Sequence, residues 1–276
     1  MEKKVSIAVL DLYNGVPNQG MRCIKDILTN YQEVAEVGVF DLRGKNELPD
    51  AGFDIYISSG GPGHPLEGDG AWDKRFYKLI YSLWLWNKEA EHDFNKKKKY
   101  VFFICHSFQM ACHLFQIGEI TKRHTKSFGI FPVHKTAEGQ LEPLFKNLSD
   151  PFYAADFRDY QVVNPNQEKL DELGAEIIAL EKIRPHVGFE RAIMGVRFSE
   201  EFFGVQFHPE ADAVGMLDHF SKEENKQKII EEHGLEKFEQ MKNDLKNPER
   251  IQKTHRELLP QFIDNAIGLL EGVFAK

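Results

Sequence analysis

Tyr100-Val101-Phe102-Phe103-Ile104-Cys105-His106-Ser107-Phe108-Gln109-Met110-Ala111-Cys112-His113-Leu114-Phe115 decides the fold class of this 276-residue chain. Residues 100–104 form an unbroken apolar run of the kind that makes a strand buried on both faces, and residues 106–115 read as a helix. A strand that passes into a helix at a single cysteine has the layout of a nucleophile elbow. There the side chain stands clear of the sheet and the helix N-terminus favours an anion. Buried, unreactive packing is the ordinary fate of a cysteine on an apolar strand. What points the other way is a second segment, Gly204-Val205-Gln206-Phe207-His208-Pro209-Glu210. His208 supplies a base and Glu210 a carboxylate to orient it, and a thiol needs such an imidazole to become a thiolate. The three residue types together spell acyl transfer through a thioester.

Outward from the elbow, strand and helix signals alternate with short connections, which favours an α/β fold with parallel strands and helices on both faces. Residues 5–10, 34–41 and 54–58 read as buried strands, and residues 18–30 as a helix. From Trp72 to Trp86 the apolar residues Phe76, Leu79, Ile80, Leu83 and Trp84 recur at helical spacing, a core stripe rather than a ligand cage. After Ser127-Phe128-Gly129-Ile130-Phe131-Pro132-Val133, shorter strands through Val205 read as an antiparallel part of the sheet. Beyond Glu210 the chain is charged and helical, with helices expected over 223–232, 234–245 and 248–270. In the last, Leu258, Leu259, Phe262, Ile263, Ile267 and Leu270 form one face. That face docks on this chain's own core or on a second chain.

Ser58-Ser59-Gly60-Gly61-Pro62-Gly63 lacks the Gly-Lys-Ser/Thr ending of a phosphate-binding loop and the spacing of a dinucleotide fingerprint. Together with Ile104-Cys105-His106-Ser107-Phe108-Gln109 and the His208 segment, in that order, it resembles the class I glutamine amidotransferases, most closely the glutaminase domain of GMP synthase. The resemblance covers about residues 5–215. It implies a flavodoxin-like sandwich around a largely parallel central sheet: a glutaminase domain at 1–215 and a helical C-terminal extension at 216–276. The implied triad is Cys105, His208 and Glu210; the implied oxyanion donors are the backbone amides of Gly61 and His106. The implied substrate contacts are Gln109, Gly60, Asp159 and Tyr160. The side-chain amide of L-glutamine, or of a γ-glutamyl compound, would be hydrolysed to glutamate and ammonia without a cofactor. No ATP-binding loop is evident, so an ammonia acceptor would sit on a separate ATP-dependent synthetase partner. The alternatives are a stand-alone γ-glutamyl peptide or amide hydrolase and a non-catalytic regulatory relative.

Two departures stand out. The family's elbow carries glycine two before and two after the cysteine, where this chain has Phe103 and Ser107. Serine is small enough to fit, whereas Phe103 implies a repacked elbow. Asp156-Phe157-Arg158-Asp159-Tyr160 stands where relatives carry a Ser- and His-rich segment that holds the substrate's amino-acid end, so Arg158 is expected to reshape recognition there.

A formal charge of −8 argues against a nucleic-acid surface, and Lys96-Lys97-Lys98-Lys99 reads as the solvated lead-in to a strand. Three cysteines, an odd number without metal spacing, argue against a disulfide framework and fit a reducing cytoplasm. No apolar stretch approaches a membrane span, and no signal peptide is seen. His64, His113, His124, His134 and His186 show no ligand spacing and no metal site is expected. His106 adjoins the cysteine, but neighbouring side chains at an elbow diverge, which leaves His208 as the base.

Overall fold

The computed structural model describes residues 4–272 except 17, 94, 184–189, 248 and 249. His186 and the expected helix start at residue 248 lie outside the described residues. The first half alternates as its periodicities require: β1 (Val5–Asp11), α1 (Gln19–Leu28), β2 (Ala35–Asp41), β3 (Ile55–Ser58), α2 (Trp72–Ala90), β4 (Tyr100–Ile104) and α3 (His106–Leu114). There follow β5 (Glu119–Lys135), α4 (Ala137–Leu141), β6 (Phe152–Val163), α5 (Gln167–Leu173), β7 (Glu176–Glu181), β8 (Ile193–Arg197) and β9 (Phe202–Val205). Four helices close the chain: α6 (Ala213–Ser221), α7 (Glu223–His233), α8 (Leu235–Lys246) and α9 (Ile251–Leu270).

The strands form one sheet in the order β2-β1-β3-β4-β9-β8-β7-β5-β6. Pairing is parallel from β2 through β9 and antiparallel from β9 onward. This is the expected α/β sandwich, with two differences in detail. β9 also pairs parallel to β4, so Val205 stands in both the parallel and the antiparallel part of the sheet. The strands expected to be shorter include the two longest, β5 with 17 residues and β6 with 12. Their alternation is interrupted by a register shift between Lys122 and Ser127, which hides their length from a periodicity reading.

Side-chain alternation along the central strands divides the core between the two faces of the sheet. Val5, Ile7 and Val9 with Phe102 and Ile104 face one cluster, and Ala8, Leu10, Val101 and Phe103 face the other. The stripe on α2 fills the second cluster, as expected. The C-terminal face docks on the chain's own core: Leu258, Leu259, Phe262, Ile263, Ile267 and Leu270 join the first cluster, with the Phe262 ring 5.1 Å from that of Phe102. At ~1.5–3 kcal/mol per fully buried large apolar side chain, α9 is a structural part of the sandwich. A third cluster joins Met216 of α6 and Phe238, Met241 and Leu245 of α8 to Ile130 and Ala155 of the long hairpin.

The lysine run is not simply solvated. Lys97 donates to the Leu270 carbonyl at 2.9 Å, Lys98 pairs with Glu201 at 3.1 Å and buried Lys99 pairs with Asp54 at 3.6 Å. The run ties α9 and β3 to the start of β4.

Candidate active site

The loops that leave the C-terminal ends of β1, β3, β4 and β9 converge on one side of the sheet, where open α/β sheets place their ligand crevices. Cys105 sits at the tip of β4 with φ 50° and ψ −96°, a conformation that a residue with a Cβ adopts only under constraint. Its N–H donates to the Val205 carbonyl at 2.8 Å, so β9 holds the bend from one side. From the other side, the Ser107 hydroxyl accepts from the Ile104 N–H at 2.9 Å and reaches the Ser58 carbonyl at 2.8 Å. Serine therefore does more than fit the position: it fastens the elbow to β3. Phe103 is accommodated from the neighbouring strand. It pairs in register with Gly204, where a Cβ would lie 3.2 Å from that of Phe103 and 2.8 Å from the Phe108 ring. The glycine that relieves the crowding has moved across the sheet.

His208 leaves β9 and is fixed at its backbone by an N–H bond to the Ala155 carbonyl at 2.8 Å. Its Nδ1 lies 2.8 Å from Oε1 of Glu210, whose side chain is 0% exposed. Burial alone would lower the pKa of His208. The charge of Glu210, with the adjoining Cys105 behind it, raises it well above the ordinary histidine value. An imidazolium so favoured is the partner a cysteine thiolate needs. Gln206 adds a donor that sequence reasoning missed: its Nε2 lies 3.7 Å from the Cys105 Sγ, and its Oε1 accepts from Gln109 at 3.0 Å. The position inside the His208 segment was the available signal.

His106 behaves differently from His208. Burial, with Arg43 and His64 nearby, pushes its pKa down to about 3, and its Nε2 is buried without a hydrogen-bond partner. It is a neutral ring and no candidate for the base. Being the first residue of α3, it has an N–H without an intrahelical acceptor. A buried neutral histidine also loads the fold against acid. Between an unfolded value of ~6.5 and the folded value of about 3, the unfolded chain takes up a proton that the folded protein refuses. His106 therefore costs stability progressively as the pH falls below ~6.5. Replacement by Gln is expected to flatten the dependence of Tm on pH between ~4 and ~6.5; parallel curves for wild type and His106→Gln would disprove this.

Tyr13, after β1, carries no signal in the sequence that marks it for the site. Cβ atoms placed on Gly20 and Gly60 would meet its hydroxyl at 2.5 and 2.9 Å, and the same points lie 3.1 Å from Glu210 Oε1 and 2.9 Å from His208 Cε1. The tyrosine thus lies beside the imidazole and carboxylate, and the two glycines make room for it. Burial, then Glu210 and Cys105, raises its pKa well above 10, so it stays protonated. Gly60 backs His208 in this way and is not in the cavity wall, whereas Gly61 is in the wall. A Cβ on Gly61 would lie 2.6 Å from the Leu12 carbonyl oxygen, a backbone atom that cannot swing aside.

A cavity of about 480 Å³ is lined by Cys105, His106, His208, Glu210, Gly61, Gln109, Asp159 and Tyr160 among others. Gln109 donates to the Tyr160 carbonyl at 2.9 Å, which ties α3 to β6, and Tyr160 packs against the His64 ring at 4.3 Å. Asp159 is exposed. Arg158 lines the cavity as well, with its charge already paired. Its side chain is 1% exposed and its Nε donates to both carboxylate oxygens of Asp156, at 2.9 and 3.0 Å. Asp156 and Arg158 stand two apart on β6 and share a face of the strand, which brings the pair together. The arginine charge is used inside the sheet.

The C-terminal helices reach the site as well. His255 of α9 donates through Nδ1 to the backbone carbonyl of Glu210 at 2.9 Å. Asp212 caps α6 by accepting from the Gly215 N–H at 2.5 Å, and it pairs with Arg22 of α1. Among the described residues no group of three or more His, Cys, Asp or Glu is placed to hold a metal ion, and no helix is long and apolar enough to cross a membrane.

Comparison with known proteins bears on the fold and the family. The family model described as glutamine amidotransferase class-I matches residues 24–222. A glutamine amidotransferase from Thermotoga maritima superposes with a TM-score of 0.63 at 15% identity, covering 96% of this chain and 99% of the other. A putative GMP synthase component from Thermoplasma acidophilum gives 0.51 at 16% identity, over 76% and 87%. The glutaminase domain of Trypanosoma brucei CTPS, with bound acivicin, gives 0.52 at 17%, over 75% and 86%. At these identities the likeness is one of fold. No curated protein matches the sequence.

Proposed function

The chain belongs to the class I glutamine amidotransferase family, and on that premise we propose that it hydrolyses the side-chain amide of L-glutamine through a thioester on Cys105. The observation that carries the reading is the imidazole of His208, held at 2.8 Å by Glu210 and lining one cavity with a cysteine on a constrained elbow. The Cys105 thiolate attacks the amide carbon and the N–H groups of Gly61 and His106 receive the oxyanion. His208, as imidazolium, gives its proton to the departing ammonia. It then takes a proton from water, whose oxygen adds to the thioester; collapse expels the thiolate and leaves glutamate. Glu210 orients the imidazole and supports its charge. Gln206 donates toward the sulfur in the resting state.

The substrate's amino-acid end is assigned to the polar wall. Asp159 offers a carboxylate for the ammonium group, with Gln109 and Tyr160 beside it; Gly60 serves by leaving His208 its place. The ammonia would pass to an acceptor reaction on a separate ATP-dependent synthetase, as for a GMP synthase glutaminase. The division into a glutaminase domain at 1–215 and a helical extension at 216–276 is read as one of family likeness, since α9 shares the core of the sandwich. Glutamate and ammonia release from L-glutamine, measured with and without candidate synthetases, is the direct test. Equimolar release of both is expected; inertness under every condition, with no acyl group trapped on Cys105, would remove the reading.

A further inference from the structure

Three rings with no part in the reaction just described face the cavity. Phe128 of β5, Phe157 of β6 and Phe220 of α6 line it and are each only partly buried. Their centroids are mutually 5.1 to 6.1 Å apart, and that of Phe157 is 6.0 Å from the His208 ring. Met216 lines the cavity beside them. The wall is built, not loose. His233 stacks flat against Phe128 at 4.2 Å and 10°, and α6 is pinned by the Arg22–Asp212 pair and by its Asp212 cap. The chamber thus adjoins the imidazole, the group that protonates the leaving nitrogen. The cavity, at about 480 Å³, falls within the ~300–1,000 Å³ range of pockets that enclose drug-sized ligands.

Ammonia needs no such chamber. His208 protonates the leaving nitrogen, so a group on that nitrogen would lie on the imidazole side, where the Phe157 ring stands 6.0 Å away. We propose that the preferred substrates are γ-glutamyl amides whose nitrogen carries an apolar or aromatic group, which lodges between Phe128, Phe157 and Phe220. The inference rests on the thioester reading above and specifies its leaving group. The S–C bond forms at Cys105 as the C–N bond breaks, and the His208 proton goes to the departing primary amine. Water then adds to the thioester and the S–C bond breaks, so that amide and water give glutamate and amine with no change of oxidation state. Apolar complementarity of this kind is worth about 10–200-fold per methylene in discrimination.

The test compares kcat/KM for L-glutamine, γ-glutamylbutylamide, γ-glutamylbenzylamide and the polar γ-glutamylethanolamide, read as glutamate release by the full chain. Butylamide and benzylamide are expected to exceed both glutamine and ethanolamide by about tenfold or more. Phe220→Ala is expected to lower the benzylamide-to-glutamine ratio by a similar factor, and Phe220→Leu, which keeps the bulk of the wall, by less. Glutamine turned over as well as any apolar amide, with a ratio that neither variant moves, overturns the proposal and leaves the thioester reading intact. Failure of every amide, glutamine included, overturns both.

Discussion

Cys105→Ala is expected to lower amide hydrolysis by roughly 10⁴-fold or more while the protein stays folded, because no other group supplies the thioester. The other two cysteines are poor substitutes. Cys23 lines the cavity, but burial, with Glu210 nearby, pushes its thiol up to about 12. Full burial raises Cys112 well above the ordinary range. A glutamine-like electrophile should therefore label Cys105 alone at neutral pH. The backbone adds a second readout. At φ 50° and ψ −96° a residue with a Cβ stores ~1–3 kcal/mol of strain. Alanine keeps that strain and glycine releases it, so Cys105→Gly should be inactive yet more stable than Cys105→Ala by about 1 kcal/mol. Labelling of Cys23 with parallel loss of activity would displace Cys105 as the nucleophile. Equal stability of the two variants would show that the elbow is unstrained.

What was legible in the sequence was whatever periodicity or chemistry marks locally. The parallel strands are short apolar runs, and α2 and α9 carry their core stripes in plain view. The candidate triad could be read because a cysteine, a histidine and a glutamate fall in two short segments in a recognisable order. What could not be read depends on which segments meet in space. Gly204 relieves Phe103 only because β9 lies beside β4 in that register. Arg158 lines the cavity, yet its pairing with Asp156, two residues earlier on the same face of β6, has no mark in the sequence. Tyr13, His255 and the three phenylalanines belong to five elements or loops that converge on the cavity or its framework only after folding. None carries a spacing that would announce the site.

The roles within the pair His208 and Glu210 separate under substitution. His208→Ala removes the group that carries the proton both to the leaving amine and from water, so both halves of the reaction fail. Glu210→Gln keeps the ring but removes the charge that supports it, and should retain roughly 10–100-fold more activity than His208→Ala. Glutamine can still accept from Nδ1 at the 2.8 Å contact. Its second polar group, however, would occupy the place of Glu210 Oε2, which is buried without a partner. The variant is thus expected to lose stability as well, by about 1–3 kcal/mol for the desolvated amide. The pH profile is the sharper test. Glu210 is the leading cause that raises His208, with Cys105 behind it. Without that carboxylate the imidazolium loses its proton at lower pH, and a reaction that needs it as an acid fails sooner on the alkaline side. The alkaline limb of kcat/KM should therefore move to lower pH in Glu210→Gln. An unmoved limb would deny Glu210 its charge-supporting role, and wild-type turnover by His208→Ala would exclude His208 as the base.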